Sequence, residues 1–157
     1  MTSEPAIRRA TAADVEDMAR MAGELVRLHH QVDKDRFFLP ERVEEGYAWW
    51  FRRELEREAA VLLVAERAGA LVGYGYGAVE ERDYQLLVDA YGAIHDVFVL
   101  EGERHSGVGR RLVEALVAEL TERGAPRVLL STMIQNEAAQ RVFARCGFRP
   151  TMLEMTR

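Results

Sequence analysis

The sequence predicts an α/β protein of the α+β kind, a mixed and mostly antiparallel sheet flanked by helices, and two observations predict it. Apolar residues switch repeatedly between helical and extended spacing along the chain. Glycine and proline punctuate most of the switches, as they do between elements. Ile7-Arg8-Arg9 reads as a short strand, and Thr11-x-x-Asp14 is a capping box ahead of Val15, Met18, Ala22 and Leu25 at helical spacing. Residues 29–37 are mixed and read as a loop. Pro40 stands near the first turn of a second helix with Val43, Tyr47, Trp50, Phe51 and Leu55 on one side.

Residues 61–65 and 71–79 are strand-like and joined by a hairpin at 67–70, and a third run spans about 92–100. Leu112, Leu116 and Leu120 form a helical stripe ending at Gly124. Pro126 precedes a strand over 127–131, a helix runs from about Asn136 to Gly147, and residues 148–155 read as a closing strand. The order is β-α-α-β-β-β-α-β-α-β. Gly73, Gly75 and Gly77 alternate, which leaves one face bare for a close helix and places Tyr74 and Tyr76 on the other.

A chain of 157 residues suits one domain over 1–157. Its 21 basic residues are scattered among 26 acidic ones, for a net charge of -5, so no basic stripe for nucleic acid is expected. No apolar run approaches the roughly 20 residues that cross a bilayer, so no membrane partner is expected. Met1-Thr2-Ser3-Glu4-Pro5 lacks the basic head and apolar stretch of a secretory signal, and a cytoplasmic location is expected. The single Cys146 can form neither an internal disulfide nor a cysteine metal site. His29, His30, Asp33 and Asp35 are too close together in a loop to converge on one ion, so no metal is expected and a substrate-binding loop is the better reading.

The chemistry concentrates in residues 97–112, where an apolar strand ends, a polar turn follows and Gly107 and Gly109 open a helix. The first amides of a helix lack intrahelical partners and carry partial positive charge, which makes an anion site. Glycine lets a diphosphate approach the main chain, and Arg104 and Arg110 could add charge-assisted bonds. On this segment alone, an anion site and a plain strand-to-helix turn are equal readings. A dinucleotide fingerprint fails because Leu112 stands where a third glycine belongs, and a P-loop fails because Arg110-Arg111 follows Gly109.

Arg104-x-x-Gly107-x-Gly109 after Val97-Phe98-Val99 resembles the acyl-CoA signature of the GNAT superfamily of N-acetyltransferases. Asn136-x-x-Ala139-x-x-x-Phe143-x-x-x-Gly147-Phe148 resembles that family's downstream run, and Ile7 to Asp14 its opening. The strongest region is 92–149, and small-molecule amine and diamine acetyltransferases are the nearest flavour. The resemblance implies a sheet of about 6–7 strands, splayed at the middle, with about 4 helices. It implies acetyl-CoA as co-substrate, with pantetheine along Val97, Phe98 and Val99. The diphosphate would lie on Arg104, His105, Ser106, Gly107, Val108, Gly109 and Arg110. Asn136, Ala139 and Phe143 would line the coenzyme arm, and Asn also favours a helix N-cap.

The resemblance further implies direct attack of a small-molecule amine on the thioester, and dimers recur in families like this one, so a homodimer is an option. A lysine-like amine costs roughly 4.6 kcal/mol to neutralise at pH 7. Tyr91, His95 and Asp96 are the strand's candidates for proton transfer, His95 standing at a plausible base position; a hydrogen-bonded histidine and a structural acid are the plain alternatives. Phe143 departs from the family, which commonly has a tyrosine there to protonate the leaving thiolate. The acidic run Glu80-Glu81-Arg82-Asp83 would suit a cationic amine. A protein N-terminus or lysine as acceptor, or a non-catalytic acyl-CoA-binding module, are the rival readings.

Overall fold

The computed structural model describes residues 4–157, and its sheet runs in the order β1-β2-β3-β4-β5. The strands are β1 (Ala6–Arg9), β2 (Ala60–Arg67), β3 (Ala70–Glu80), β4 (Tyr91–Val99) and β5 (Val128–Leu130). β1 to β4 pair antiparallel, and β4 pairs β5 in parallel. Helices α1 (Val15–Val32) and α2 (Val43–Glu56) cover one face, α3 (Val108–Glu122) covers the other, and α4 (Glu137–Arg145) packs beside α3. Met1 to Ser3, the first residues of the stretch read for a signal, lie outside the described residues.

Glycine alternation in β3 sets the spacing of the α3 layer. A Cβ at Gly75 would lie 2.8 Å from Leu116 Cδ1, and one at Gly73 3.3 Å from Leu112 Cδ1. The stripe Leu112, Leu116 and Leu120 is fully buried against this bare face. On the opposite face Tyr74 and Tyr76 meet the ring of Phe51 of α2 edge-on at 5.6 and 6.2 Å. The β2–β3 connection is a two-residue turn with Ala68 at φ 51 and Gly69 at φ 80, the doubly positive geometry that matches strand twist.

The capping box at the start of α1 is built into an ion pair. Asp14 accepts from Arg8 Nη1 and Nη2 at 2.8 and 2.9 Å and from the Thr11 amide at 2.7 Å. Arg8 also holds Glu66 of β2 at 2.7 Å, so one guanidinium joins β1, β2 and the head of α1. The Arg8 bonds hold the Asp14 carboxyl down at about 2 against the opposing effect of burial. A depressed carboxylate stabilises the fold above its unfolded pKa near 3.9, and that contribution is lost as pH falls toward about 2. Asp14→Asn is expected to cost about 2 kcal/mol at pH 7 and to flatten the stability loss between about pH 4 and pH 2. Denaturant unfolding of both chains across that range checks it.

Two expectations need correction. The closing strand over 148–155 does not form, and the expected 6–7 strands become five among the described residues. A strand needs a neighbouring ladder. β5 is only three residues long, Pro150 has no N–H to give, and Arg36 holds Glu154 by an ion pair instead, with Met152 and Met155 exposed. His29 and His30 lie in the last turn of α1, not in a loop, and each ring Nδ1 bonds a carbonyl, Leu25 and Phe37 respectively, at 2.8 Å. α2 begins at Val43, a little after Pro40.

Candidate active site

The site begins with a bulge in β4. Tyr76 of β3 faces Asp96 and the next residue, Gly77, faces Ile94, so His95 is the extra residue. The bulge turns His95 and Asp96 toward the same side of the sheet. The His95 ring stacks on Tyr76 at 5.1 Å and 29°, and Asp96 Oδ2 accepts from the Tyr74 hydroxyl at 3.1 Å.

At the same place the sheet parts. The ladder from β4 to β5 covers only Gly92, Ala93 and Ile94, whereas the ladder from β4 to β3 continues to Val99. From His95 onward the outer edge of β4 therefore faces no strand among the described residues. Val97 and Val99 lean on the α3-side core and Phe98 is buried in the other. At the far end of this edge Arg104 Nε donates to the Val99 carbonyl at 3.0 Å, with the guanidinium 5.7 Å from the centre of the Phe98 ring.

Beyond Val99 the chain is pinned twice to the sheet. The Leu100 amide bonds the Val72 carbonyl at 2.9 Å, and Glu103 lies 2.7 Å from Arg67 at the end of β2. Ser106 Oγ donates to the Glu103 carbonyl. His105 and Gly107 take positive φ, 64 and 85, and Gly107 caps α3 with no side chain bonded to the first amides. Those N–H groups remain available to an anion. At Gly109 a Cβ would meet only Val99 Cγ2, at 3.7 Å, so the space above this residue is open. Arg110 is exposed and pairs with Glu114 at 2.7 Å, a surface contact worth little.

Asn136 caps α4, its Oδ1 accepting from the Ala139 amide at 3.1 Å, which leaves its amide nitrogen free of that bond. Phe143 is half-buried and meets Phe148 edge-on at 6.2 Å, both against the α3-side core.

On the other side of the bulge lies an open cleft of about 530 Å³, with Glu80, Glu81, Asp83, Tyr84 and Tyr91 among its lining. Arg82 also lines the cleft but is paired with Asp89 at 3.0 Å, so the remaining charge there is acidic. Glu80 Oε1 is 3.6 Å from His95 Nε2, which ties the cleft to the bulge. Burial raises the Asp96 carboxyl above the usual range against the bond from Tyr74, and pushes Tyr47 to about 12 with help from the Asp96 charge. Tyr91, raised by burial, stands at the head of β4, opposite Glu80 in the register.

Of the candidates for proton transfer, the fold thus brings His95 and Asp96 together and sets Tyr91 further along the cleft. The sequence places Glu80 only in an acidic run suited to a cationic amine, and it links neither Glu80 nor Tyr74 and Tyr76 to His95 and Asp96. The glycine alternation had paired the two tyrosines, but only the bulged register shows which residues they meet. Among the described residues no group of three or more His, Cys, Asp or Glu could hold a metal ion, and no helix is long and apolar enough to cross a membrane.

The fold is a helix-flanked mixed sheet that parts between two strands, with a glycine turn opening a helix beside the parting. The model of the Acetyltransferase (GNAT) family matches residues 24–148, and the chain belongs to that family, whose enzymes use acetyl-CoA. A mycothiol acetyltransferase of Thermobispora bispora is 34% identical over 109 residues, 63% of this chain. The chain spans only 36% of that relative's length. A Bacillus halodurans protein has the same fold, at a TM-score of 0.82, 21% identity and coverage of 97% of this chain and 98% of that one. So has the aminoglycoside N-acetyltransferase AAC(6')-Iy in complex with CoA, at a TM-score of 0.76, 18% identity and coverage of 100% and 95%.

Proposed function

We propose that this chain transfers an acetyl group from acetyl-CoA to a primary amine of a small molecule by direct attack, and that residues 1–157 do so as one domain. The observation that carries this reading is the early end of the β4–β5 ladder at Ile94, with the open turn of α3 at the end of the exposed edge. An edge of unpaired main-chain groups is a template for an extended ligand, here the amide-bearing pantetheine arm along Val97 to Val99. The free amides at the start of α3, with Gly109 bare, suit the diphosphate. Arg104 frames the turn, and Asn136, Ala139 and Phe143 flank the arm from α4.

The reaction forms an amide bond and breaks the thioester C–S bond, while the amine loses a proton and the sulfur gains one. His95 sits where the gap opens and is the base in this reading, taking the amine proton directly or through a water. Asp96, half-buried and bonded by Tyr74, stands beside the base as a structural acid, and Tyr91 borders the approach. The carboxylates of the cleft favour an acceptor that arrives as a cation and is neutralised only beside His95. Phe143 has no proton to give, so the thiolate leaves unassisted at that position, a tolerable step for a thiol of pKa near 8.5.

Thiol release from acetyl-CoA against a panel of amines, with product masses recorded, tests the reading. Release that requires an amine, with acetylated product, supports it; absence of release with every amine opposes it. Phe143→Tyr is expected to leave acetyl-CoA affinity unchanged and to raise kcat about tenfold, a fraction of what a positioned acid can supply. Weakened coenzyme affinity in that variant would contradict the placing of the ring.

A further inference from the structure

The geometry points to Glu80 as a positioning residue that holds His95 in its working orientation, through a closed circuit of contacts anchored in α2. This deepens the proposed function and rests on its assignment of His95 as the base. The circuit runs through five residues on three elements. His95 Nε2 lies 3.6 Å from Glu80 Oε1 at the end of β3. The other Glu80 oxygen accepts from Arg57 Nη2 at 3.3 Å, and Arg57 Nη1 bonds Glu54 at 3.1 Å. Glu54, only 4% exposed, accepts from the Tyr76 hydroxyl at 2.7 Å. The Tyr76 ring stacks on His95 and closes the loop.

A bulged residue is held by only part of the ladder, and its side chain needs other restraints to keep one orientation. His95 has two contacts of this kind: Tyr76 stacks on the ring face, and Glu80, at 3.6 Å and so beyond hydrogen-bond reach, acts on the ring edge electrostatically once the ring carries a proton. Both lead to the same buried carboxylate, Glu54, whose ion-pair partner among the described residues is Arg57. A buried acid of this kind is costly unless paired and bonded, so it fixes the groups around it. A carboxylate beside a catalytic imidazole selects its orientation and stabilises the imidazolium that forms when the proton arrives. Asp96 is near in sequence but is taken by Tyr74, which leaves Glu80 as the carboxylate on the His95 ring edge.

The test is a double-mutant cycle on the full chain with Glu80→Gln, an isosteric change at a partly exposed site, and His95→Ala. Thiol release is read with the panel amine that the wild type turns over fastest. Glu80→Gln is expected to lower kcat about tenfold with KM for acetyl-CoA unchanged, and to have no further effect in the His95→Ala background. Equal losses from Glu80→Gln in both backgrounds would overturn the inference while leaving the base assignment standing. Full kcat in His95→Ala would instead overturn the base assignment, and with it the role given to Glu80. A second readout needs no acceptor. Stacking on Tyr76 shifts the His95 Cε1–H resonance by its ring current, and Glu80→Gln should move that resonance toward the value of an unstacked imidazole. An unmoved resonance in a folded Glu80→Gln chain, judged by circular dichroism, also overturns the inference.

Discussion

Gly109→Leu is expected to keep the fold and to weaken acetyl-CoA binding by about 100-fold, roughly 2.7 kcal/mol. The two halves of this result have separate causes. Gly109 is the second residue of α3, and a Cβ there meets only Val99 Cγ2 at ordinary contact distance. Replacing a helical glycine by leucine favours the helix by up to about 1 kcal/mol, so thermal stability should hold or rise. The added side chain would instead fill the space through which a diphosphate reaches the amides of residues 107–110. Gly107 makes a poorer test, since its φ of 85 would strain any other residue and confuse folding with binding. Calorimetric titration with CoA, beside a melting curve, separates the two effects. Unchanged affinity in Gly109→Leu would place the diphosphate elsewhere.

His95→Ala is expected to lower kcat by about 10² to 10⁴ and to leave KM for acetyl-CoA near the wild-type value. The imidazole is in part exposed and contributes to neither apolar core, so its removal should not unfold the chain. It stands at the point where β5 leaves β4, beside the acidic cleft from which a cationic amine would come. A loss confined to kcat is the mark of a group that acts on the reacting amine rather than on the coenzyme. If kcat is unaltered, the base lies elsewhere, and Asp96→Asn becomes the next variant to measure.

The glycine turn at the start of α3 was legible in the sequence because its signals are local. An apolar strand, a polar turn and glycines at 107 and 109 are read within a dozen residues, and the order of elements follows from periodicity. The glycine face of β3 was equally plain, because alternation is a property of one strand. The surroundings of His95 were not legible, since they depend on register. One extra residue in β4 decides that His95 meets Tyr76 and Glu80 while Asp96 meets Tyr74, and no pattern within either strand encodes that pairing. The missing strand after Gly147 failed for a related reason. Its residues have extended character, but β5 is too short to offer a ladder, and strand formation is a property of the pair. The end of α1 was hidden by composition. His29 and His30 look like loop residues until their rings are seen bonded to carbonyls of α1 and of the segment after it.

In the proposed function, coenzyme A lies along the outer edge of β4 with its diphosphate on the first amides of α3. Amide resonances of the isotope-labelled chain, followed during titration with coenzyme A, test it most directly. The largest shifts should fall on residues 97–99 and 107–110, with Gly109 foremost, and Gly109→Leu should suppress them. Shifts confined to other parts of the chain, or none at saturating coenzyme, would contradict it.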